Sequence, residues 1–555
     1  MAYFLKKSKQ NGKLYLAICE SFYEPEKKAT AHKCYKSLGN TDSLIKNGIS
    51  DPIAHFQKEV DKLNSERRLA KVEQVSNESP LQYLGYFPFV AILEKLNVKK
   101  YIDFFKLTTD FQFDLFELLS SLIYARIIYP CSKHKTFHEV INRMCTPYDY
   151  SYDQLLNGLS FLGNTYEKII EIFTRALKNK YGINTEKTYF DCINFYFEID
   201  KEDDFRIEGP SKENRKDPIV GMGLLLDSNQ MPIGMKLYPG NESEKPILRD
   251  VIQLLKMQNN ITGETVHVAD EGPNCAQNIV FSKENGDGYL FSKSVKGLSE
   301  KEKVWVLKTD DWLTMKSNKG AVLYYYKSCI DEFPYTIVHE GKNVNINFTE
   351  KRLLTLNPEL RKKQIFEINK QVEKAKNLTC SLAKKEEYGD SAKYVCFTDT
   401  DGKKARDSIN QDAIDKDKKF AGYNLLVTSE IKMTDSEIYS VYHNLWRIEE
   451  SFRIMKSDMD ARPVFLQKES TIKGHFLICY LTVLLERILQ FKTLGKKYSS
   501  CEILSFMRNF VVLKTGSQYI NTAIASDILT DMSNIFSLPA TNYYLSKKQV
   551  NSFLG

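Results

Sequence analysis

The chain has 555 residues, 42% of them hydrophobic and 12% aromatic, a composition that builds globular cores and excludes a disordered or fibrous chain. Its length allows two to four domains. A formal net charge of +7 permits an anionic partner such as nucleic acid without requiring one.

Eleven cysteines, an odd number without a CxxC pair in so large a chain, point to a reduced intracellular protein. The start, MAYFLKKSKQNGKLYLA, holds no apolar stretch of signal-peptide length. The strongest apolar run, FLICYLTVLL at 476–485, is about half of the ~20 residues that a membrane span requires. The expectation is a soluble, cytoplasmic protein without a membrane partner.

In chain order, residues 1–40 alternate as a small β unit with a turn at Asn11-Gly12. Residues 41–80 carry the charged stretch QKEVDKLNSERRLAKVEQVSNESP, which predicts an exposed helix running into a linker. From 81 to 180 the apolar spacing is helical in FPFVAILEKLNV, FDLFELLSSLIYARIIYP, SYDQLLNGLSFLG and YEKIIEIFTRALKNKYG, punctuated by Pro130 and Gly182.

The pattern then changes. KTYFDCINFYFEI (187–199), PIVGMGLLLD (218–227) and PIGMKLYPG (232–240) read as strands, SEKPILRDVIQLLKMQ (243–258) as a helix, and ETVHVAD (264–270) as a fourth strand. The order is β-β-β-α-β, with Asp191 on the first strand and Asp270 ending the fourth. GYLFSKS (288–294) gives a fifth strand. The segment 300–420 reads as a β-rich insertion around one basic helical stretch, 351–378, with eight Lys/Arg against three Glu. YNLLVTS (423–429) resumes the strand pattern and leads into the helix VYHNLWRIEESFRIMKSDMD. Residues 466–555 read as helical. The expected fold class is α/β, with a mixed sheet flanked by helices built from 185–299 and 421–465.

On that helix, at about 100° per residue, Tyr442, Leu445, Glu449, Arg453 and Lys456 fall in one stripe about 80° wide. Arg447 points away and Glu450 sits at the margin. An acid on this stripe, packed against a sheet bearing Asp191 and Asp270, could meet both. Three clustered carboxylates are unfavourable unless a cation resolves them. Hard oxygen ligands select Mg²⁺ or Mn²⁺. Two such ions would activate a water or a 3′-hydroxyl and stabilise the leaving oxygen of a phosphodiester. Bases beyond Glu449 would hold the neighbouring phosphates.

These residues resemble a known family. The β-β-β-α-β order with its two aspartates and later glutamate resembles the RNase H-like fold of DDE transposases. Tyr442-x2-Leu445-x3-Glu449-x6-Lys456 is similar to the Tyr-x2-Arg-x3-Glu-x6-Lys signature of bacterial insertion-sequence transposases of the IS-four-like superfamily. FDCINFYFE, GPSKENRKDP, GNESE, VADEGPN and LWRIEESFRIMKSDMDARPVF extend the likeness over most of the chain. The resemblance implies that Asp191, Asp270 and Glu449 hold two metal ions and that Tyr442 and Lys456 contact DNA near the cleaved end. It implies double-stranded DNA partners (terminal inverted repeats and target DNA), a homodimer joining two DNA ends, and work at the bacterial nucleoid. Leu445 departs from the signature arginine, and the helical wheel nominates Arg453 in its place. The helices of 81–180 become a candidate DNA-end-binding domain.

Plainer readings compete. An aspartate at a strand end is most often a turn or cap residue, and an acid–base pair at i, i+7 is most often a solvated helix face. What separates these residues from that background is their joint order along the chain. Glu198, Glu271 and Glu450 read as supporting or surface acids. Cys131, His134 and His138 share an i, i+3, i+7 face with Cys145 beyond, a spacing able to bind zinc but without the short paired spacings of structural zinc units. Trp312 and Trp446 could stack on an exposed base, with core packing the commoner role. The alternatives are an RNase H-like nuclease that does not join strands and a catalytically inactive DNA-binding relative acting as a repressor or architectural protein.

Overall fold

The structure, a computed structural model, describes residues 2–24, 29–70, 79–199, 201–209, 217–259, 263–317, 319–339, 341–379, 389–400, 403–516 and 518–555. The chain divides into two compact units, Met1–Ser79 and Pro80–Gly555.

In the first unit, β1 (Tyr3–Gln10), β2 (Lys13–Glu24) and β3 (Ala29–Asn40) form an antiparallel sheet. The β1–β2 turn is the expected Asn11-Gly12, with φ of 49° and 75°. Both lie in the left-handed region that a tight hairpin twisted like its strands demands. A helix, Pro52–Ala70, covers the sheet. Asn64 ties the helix to β1, its Oδ1 accepting the Tyr3 N–H at 2.8 Å, and Leu16, Ile18, Phe56 and Val60 are buried. Residues 71–78 of the expected linker, and most of GPSKENRKDP, lie outside the described residues.

The second unit is a mixed α/β fold around a nine-stranded mixed sheet flanked by helices. After a short strand, β4 (Leu81–Tyr83), and the helices of 87–181, the chain enters β5 (Lys187–Tyr196), β6 (Ile219–Leu226) and β7 (Pro232–Pro239). These pair antiparallel, β5 with β6 and β6 with β7. A helix, Glu244–Asn259, returns the chain to β8 (Val266–Ala269), which pairs parallel with β5, and β9 (Gly288–Lys293) pairs parallel with β8. Every residue of β6 is buried, because helices cover both faces of a sheet with parallel strands at its centre.

The segment 300–420 extends this sheet. β10 (Leu313–Lys316), the long hairpin β11 (Val322–His339) and β12 (Lys342–Leu356), and then β15 (Tyr423–Thr428) complete the order β10-β11-β12-β15-β9-β8-β5-β6-β7. A separate two-stranded ribbon, β13 (Val395–Thr400) and β14 (Lys403–Ile409), lies in between. The basic stretch 351–378 is not one helix. Lys351–Leu356 finish β12, paired with β15, and the helix begins only at Pro358, since proline suits the first helical position and disfavours helix before it.

The tail also departs from the all-helical expectation. Its helices, Glu469–Arg487, Ser500–Asn509, Asp527–Phe536 and Lys547–Ser552, are joined by β16 (Val511–Thr515), β17 (Gln518–Asn521) and β18 (Tyr544–Ser546). With β4 these make a four-stranded sheet, β18-β17-β16-β4. Strands of three to five residues are too short to show a period. The apolar run 476–485 lies inside Glu469–Arg487, which is buried along nearly its whole length and packs on Tyr152–Asn164 and Leu115–Ile128. Among the described residues no helix is long and apolar enough to cross a membrane.

Two glycines allow that helix to approach Tyr152–Asn164 closely. A Cβ on Gly163 would stand 1.7 Å from the Ser470 carbonyl oxygen, and one on Gly474 would stand 2.3 Å from that of Leu159. Gly163→Ala should therefore force the helices apart and cost about 1–3 kcal/mol or more. Denaturant unfolding of wild type and variant checks this, and equal midpoints would contradict the close approach.

Candidate active site

Parallel pairing sets the first two carboxylates side by side. Phe190 of β5 pairs with Ala269 of β8, so Asp191 and Asp270 stand one step further along on neighbouring strands, about 5 Å apart at the backbone. Asp191 Oδ1 accepts the Cys192 N–H at 2.7 Å. Asp270 is exposed at the carboxyl end of β8, the end of parallel strands at which open α/β sheets place ligands.

The third carboxylate comes from a broken helix. The expected single helix is three pieces: Asp435–His443, then Trp446–Arg453, then a π turn over Ile454–Asp458. The wheel drawn through it at a constant 100° therefore does not hold across Asn444 and Leu445 or beyond Arg453. Tyr442 ends the first piece, Glu449 stands in the first turn of the second, and Lys456 lies in the π turn.

Despite the break, Asp191, Asp270 and Glu449 line one pocket of about 150 Å³ together with Tyr442, His443, Leu445, Trp446 and Ile448. Tyr442 donates its hydroxyl to Asp270 Oδ1 at 2.7 Å. Burial, and then the Asp270 carboxylate, raise the Tyr442 phenol well above the ordinary tyrosine range, so it stays a donor at neutral pH. Glu450 is turned elsewhere. It accepts from the buried Arg487 at 2.9 Å and lies 3.4 Å from Arg447, which leaves Glu449 as the acid of this helix on the pocket.

The remaining sequence-predicted residues fall differently. Leu445, at the signature arginine position, is only 7% exposed and closes the pocket wall. Arg453 is exposed, pairs with Asp458 at 3.1 Å, and is not among the pocket's lining residues. Lys456 is half-buried in the π turn, also off the pocket lining. Trp446 is exposed at the pocket, its ring beneath the Arg447 guanidinium at 3.5 Å, so the core role does not apply to it. Trp312 is half-buried, donates to the Lys308 carbonyl and lies under Lys327.

His443 is a pocket residue that the sequence reading passed over. Its only signal was adjacency to Tyr442. Its ring stacks on Tyr439 with centroids 3.8 Å apart, and Nδ1 stands 2.8 Å from the Tyr439 carbonyl oxygen. Among the described residues Cys131, His134, His138 and Cys145 are not gathered into a group of three that could hold a metal ion. The chain from 133 to 143 is a helical turn, a π turn and a 3-10 turn in succession, and His134 and His138 still lie side by side with ring centroids 4.4 Å apart. Both rings also pack on Tyr152.

Among the described residues no three His, Cys, Asp or Glu side chains stand close enough together to enclose a metal ion. The pocket acids form an open donor set of oxygens. Such a set fits a hard divalent ion that keeps several of its waters and takes only one or two carboxylates directly. It does not fit a closed cage.

No family model matches the chain, and neither does any curated protein. Among solved structures, the chain is similar to a piggyBac transposase in a synaptic complex with hairpin DNA. The two share 10% identity over 78% of this chain and 75% of that one, with a TM-score of 0.37.

The Tyr442–Asp270 bond can be read by titration. In Asp270→Asn the neighbouring negative charge is gone, so the Tyr442 phenol should titrate at lower pH than in wild type, yet above free tyrosine because burial, the larger cause, remains. Tyrosine ring-carbon NMR, with Tyr442→Phe to assign the signal, measures it. An unmoved Tyr442 signal would show that the two groups are not in contact.

Proposed function

We propose that the chain is a DDE transposase of the IS-four-like superfamily, cutting DNA at the ends of an insertion sequence and joining them to target DNA. The observation that carries this reading is the meeting of Asp191, Asp270 and Glu449, from two neighbouring strands and one later helix, on a single pocket. The β-β-β-α-β run from β5 to β8 supports an RNase H-like core.

In this reading Asp191, Asp270 and Glu449 would hold two Mg²⁺ or Mn²⁺ ions, waters filling the positions the carboxylates leave open. When bound, such ions supply Lewis acidity that eases deprotonation of a water or a 3′-hydroxyl and offsets charge on the leaving oxygen. The chain's own residues do the positioning. The Tyr442 hydroxyl fixes Asp270 by its hydrogen bond and, as an uncharged donor, adds no repulsion to an approaching phosphate. Leu445 and Ile448 keep one wall dry, which strengthens electrostatic contacts within the pocket. Trp446 offers an exposed aromatic face to a nucleotide next to the cut. Lys456 and Arg453, past the pocket along the same segment, hold backbone phosphates on the way in, Arg453 after exchanging Asp458 for DNA. The substrates are the terminal inverted repeats and the target duplex, held by a homodimer.

The decisive assay uses a labelled duplex carrying the flanking inverted repeat, with Mg²⁺ or with EDTA. Wild type should nick at the repeat boundary only with metal. Asp191→Asn, Asp270→Asn and Glu449→Gln should each lose about a hundredfold or more of that activity while binding DNA as before. Cleavage that survives each of the three substitutions would sink the proposal, and metal-dependent cleavage together with failure to join pre-cleaved ends to target DNA would move the chain to the nuclease reading. A second measurement addresses the bases. Arg453→Gln and Lys456→Gln should each weaken end binding and lower the slope of log K against log salt by about 0.9. An unchanged slope would remove that residue from the phosphate contacts.

A further inference from the structure

A larger cavity, of about 570 Å³, lies in the second unit and shares no lining residue with the carboxylate pocket. Its floor is made by Arg126, at the end of the helix Leu115–Ile128, by Lys133, and by His475 of the helix Glu469–Arg487. Arg126 is 4% exposed and Lys133 5%. The rim carries Tyr152, Arg462 and the exposed Phe465.

The floor has an unusual charge balance. Among the described residues Arg126 donates to carbonyl oxygens, to Met459 at 3.1 Å, to Asp460 at 3.5 Å and to Cys131 at 3.1 Å. His475 Nε2 lies 3.0 Å from the Ala461 carbonyl oxygen. A carbonyl can only accept, so Nε2 bears the proton and Nδ1 is left as an acceptor. Lys133 Nζ, 3.3 Å from that Nδ1, therefore donates to a neutral imidazole and has donors to spare. Burial, and then the charge of Arg126, hold Lys133 well below the ordinary lysine range. Burial, then Lys133 and Arg126, hold His475 down likewise. Cys131 and Cys479 are the other titratable groups around the amine, and His134, Asp460 and Arg462 complete the charged or titratable lining of the cavity. Among the described residues neither Arg126 nor Lys133 has a carboxylate partner.

A buried guanidinium next to a buried amine, with no carboxylate bonded to either among the described residues, is costly, and the strain falls on the amine, which burial and Arg126 push toward its neutral form. Both groups persist here beside an open cavity whose size suits a small-molecule ligand and whose walls include Phe465, Tyr152, Val464 and Leu466. We propose that this cavity binds a nucleotide, free or carried in a DNA strand, with its phosphate over Lys133 and Arg126 and its base and sugar against Phe465 and Tyr152. A phosphate supplies the missing negative charge and accepts the spare lysine donors as charge-assisted hydrogen bonds. The aromatic rim supplies a stacking surface for a base. The inference does not depend on strand cleavage, since none of the pocket carboxylates takes part.

Calorimetric titration of the full-length chain, without divalent metal, tests it. The probes are deoxyadenosine 5′-monophosphate and a short single-stranded oligonucleotide, and the proteins are wild type, Lys133→Met and Phe465→Ala. Lys133→Met should lose about tenfold or more in affinity, the equivalent of one charge-assisted contact. Phe465→Ala should weaken both probes severalfold. Dependence on Lys133 with the mononucleotide identifies a free nucleotide as a ligand, and dependence seen only with the oligonucleotide identifies a strand-borne one. Equal affinities in wild type and Lys133→Met, or no binding of either probe to wild type, would overturn the proposal. Should Lys133→Met fail to fold, Phe465→Ala decides, because an exposed rim residue can be removed without disturbing the core. Unchanged binding in that variant rejects the site.

Discussion

The parallel pairing of β5 with β8 is the constraint on which the carboxylate pocket rests. The register Phe190 to Ala269 leaves no choice about where Asp191 and Asp270 lie relative to each other. A slip of one residue would turn Asp191 to the opposite face of the sheet. Such a slip is blocked by burial, because Tyr189, Phe190 and Cys192 on β5 and Val268 and Ala269 on β8 are all inside. Every apolar side chain that resists moving therefore also holds a carboxylate in position. The geometry of the site is an outcome of core packing several residues away from the charges.

The helix that brings Glu449 is held by the same means plus one ion pair. Ile448 and Phe452 are buried toward the sheet, and Arg487, 1% exposed, grips Glu450. A pair of this kind is expensive to bury and adds little net stability, but breaking it would strand a charge in the core. Its effect is directional: adjacent acids on one helix turn are assigned to different tasks, Glu450 to the interior and Glu449 to the pocket. Between the two pieces Asn444 and Leu445 keep right-handed backbone and tighten to a turn in which the Leu445 N–H donates to the Tyr442 carbonyl, so Tyr442 and Glu449 stay on one run of chain.

The long helix Glu469–Arg487 links the pocket to the rest of the second unit. At one end it carries His475 into the cavity of Arg126 and Lys133, and at the other it supplies Arg487 to Glu450. Residues 459–466 run between the two places, following directly on the π turn that holds Lys456. Both concave regions are thus borne by one closely packed helical framework. The approach allowed by Gly163 and Gly474 fixes the spacing within that framework.

Sequence alone determined the element types wherever a period was long enough to read. It placed the Asn11-Gly12 hairpin, the helices of 81–180, the β-β-β-α-β run, and Asp191, Asp270 and Glu449 as residues destined for one place, since strand alternation and helical spacing are local properties. Pro358 was visible too, but the basic residues around it masked the strand that ends at Leu356. Tertiary structure decided what depends on distant partners. It set the union of β12 with β15 in the main sheet and the pairing of β4 with β16, whose segments are too short to have a pattern of their own. It also broke the 435–458 helix and drew His443 to the pocket. The burial of Arg126 and Lys133 without an anion could be seen only there, because two cationic residues seven apart look like solvated surface until the fold closes over them.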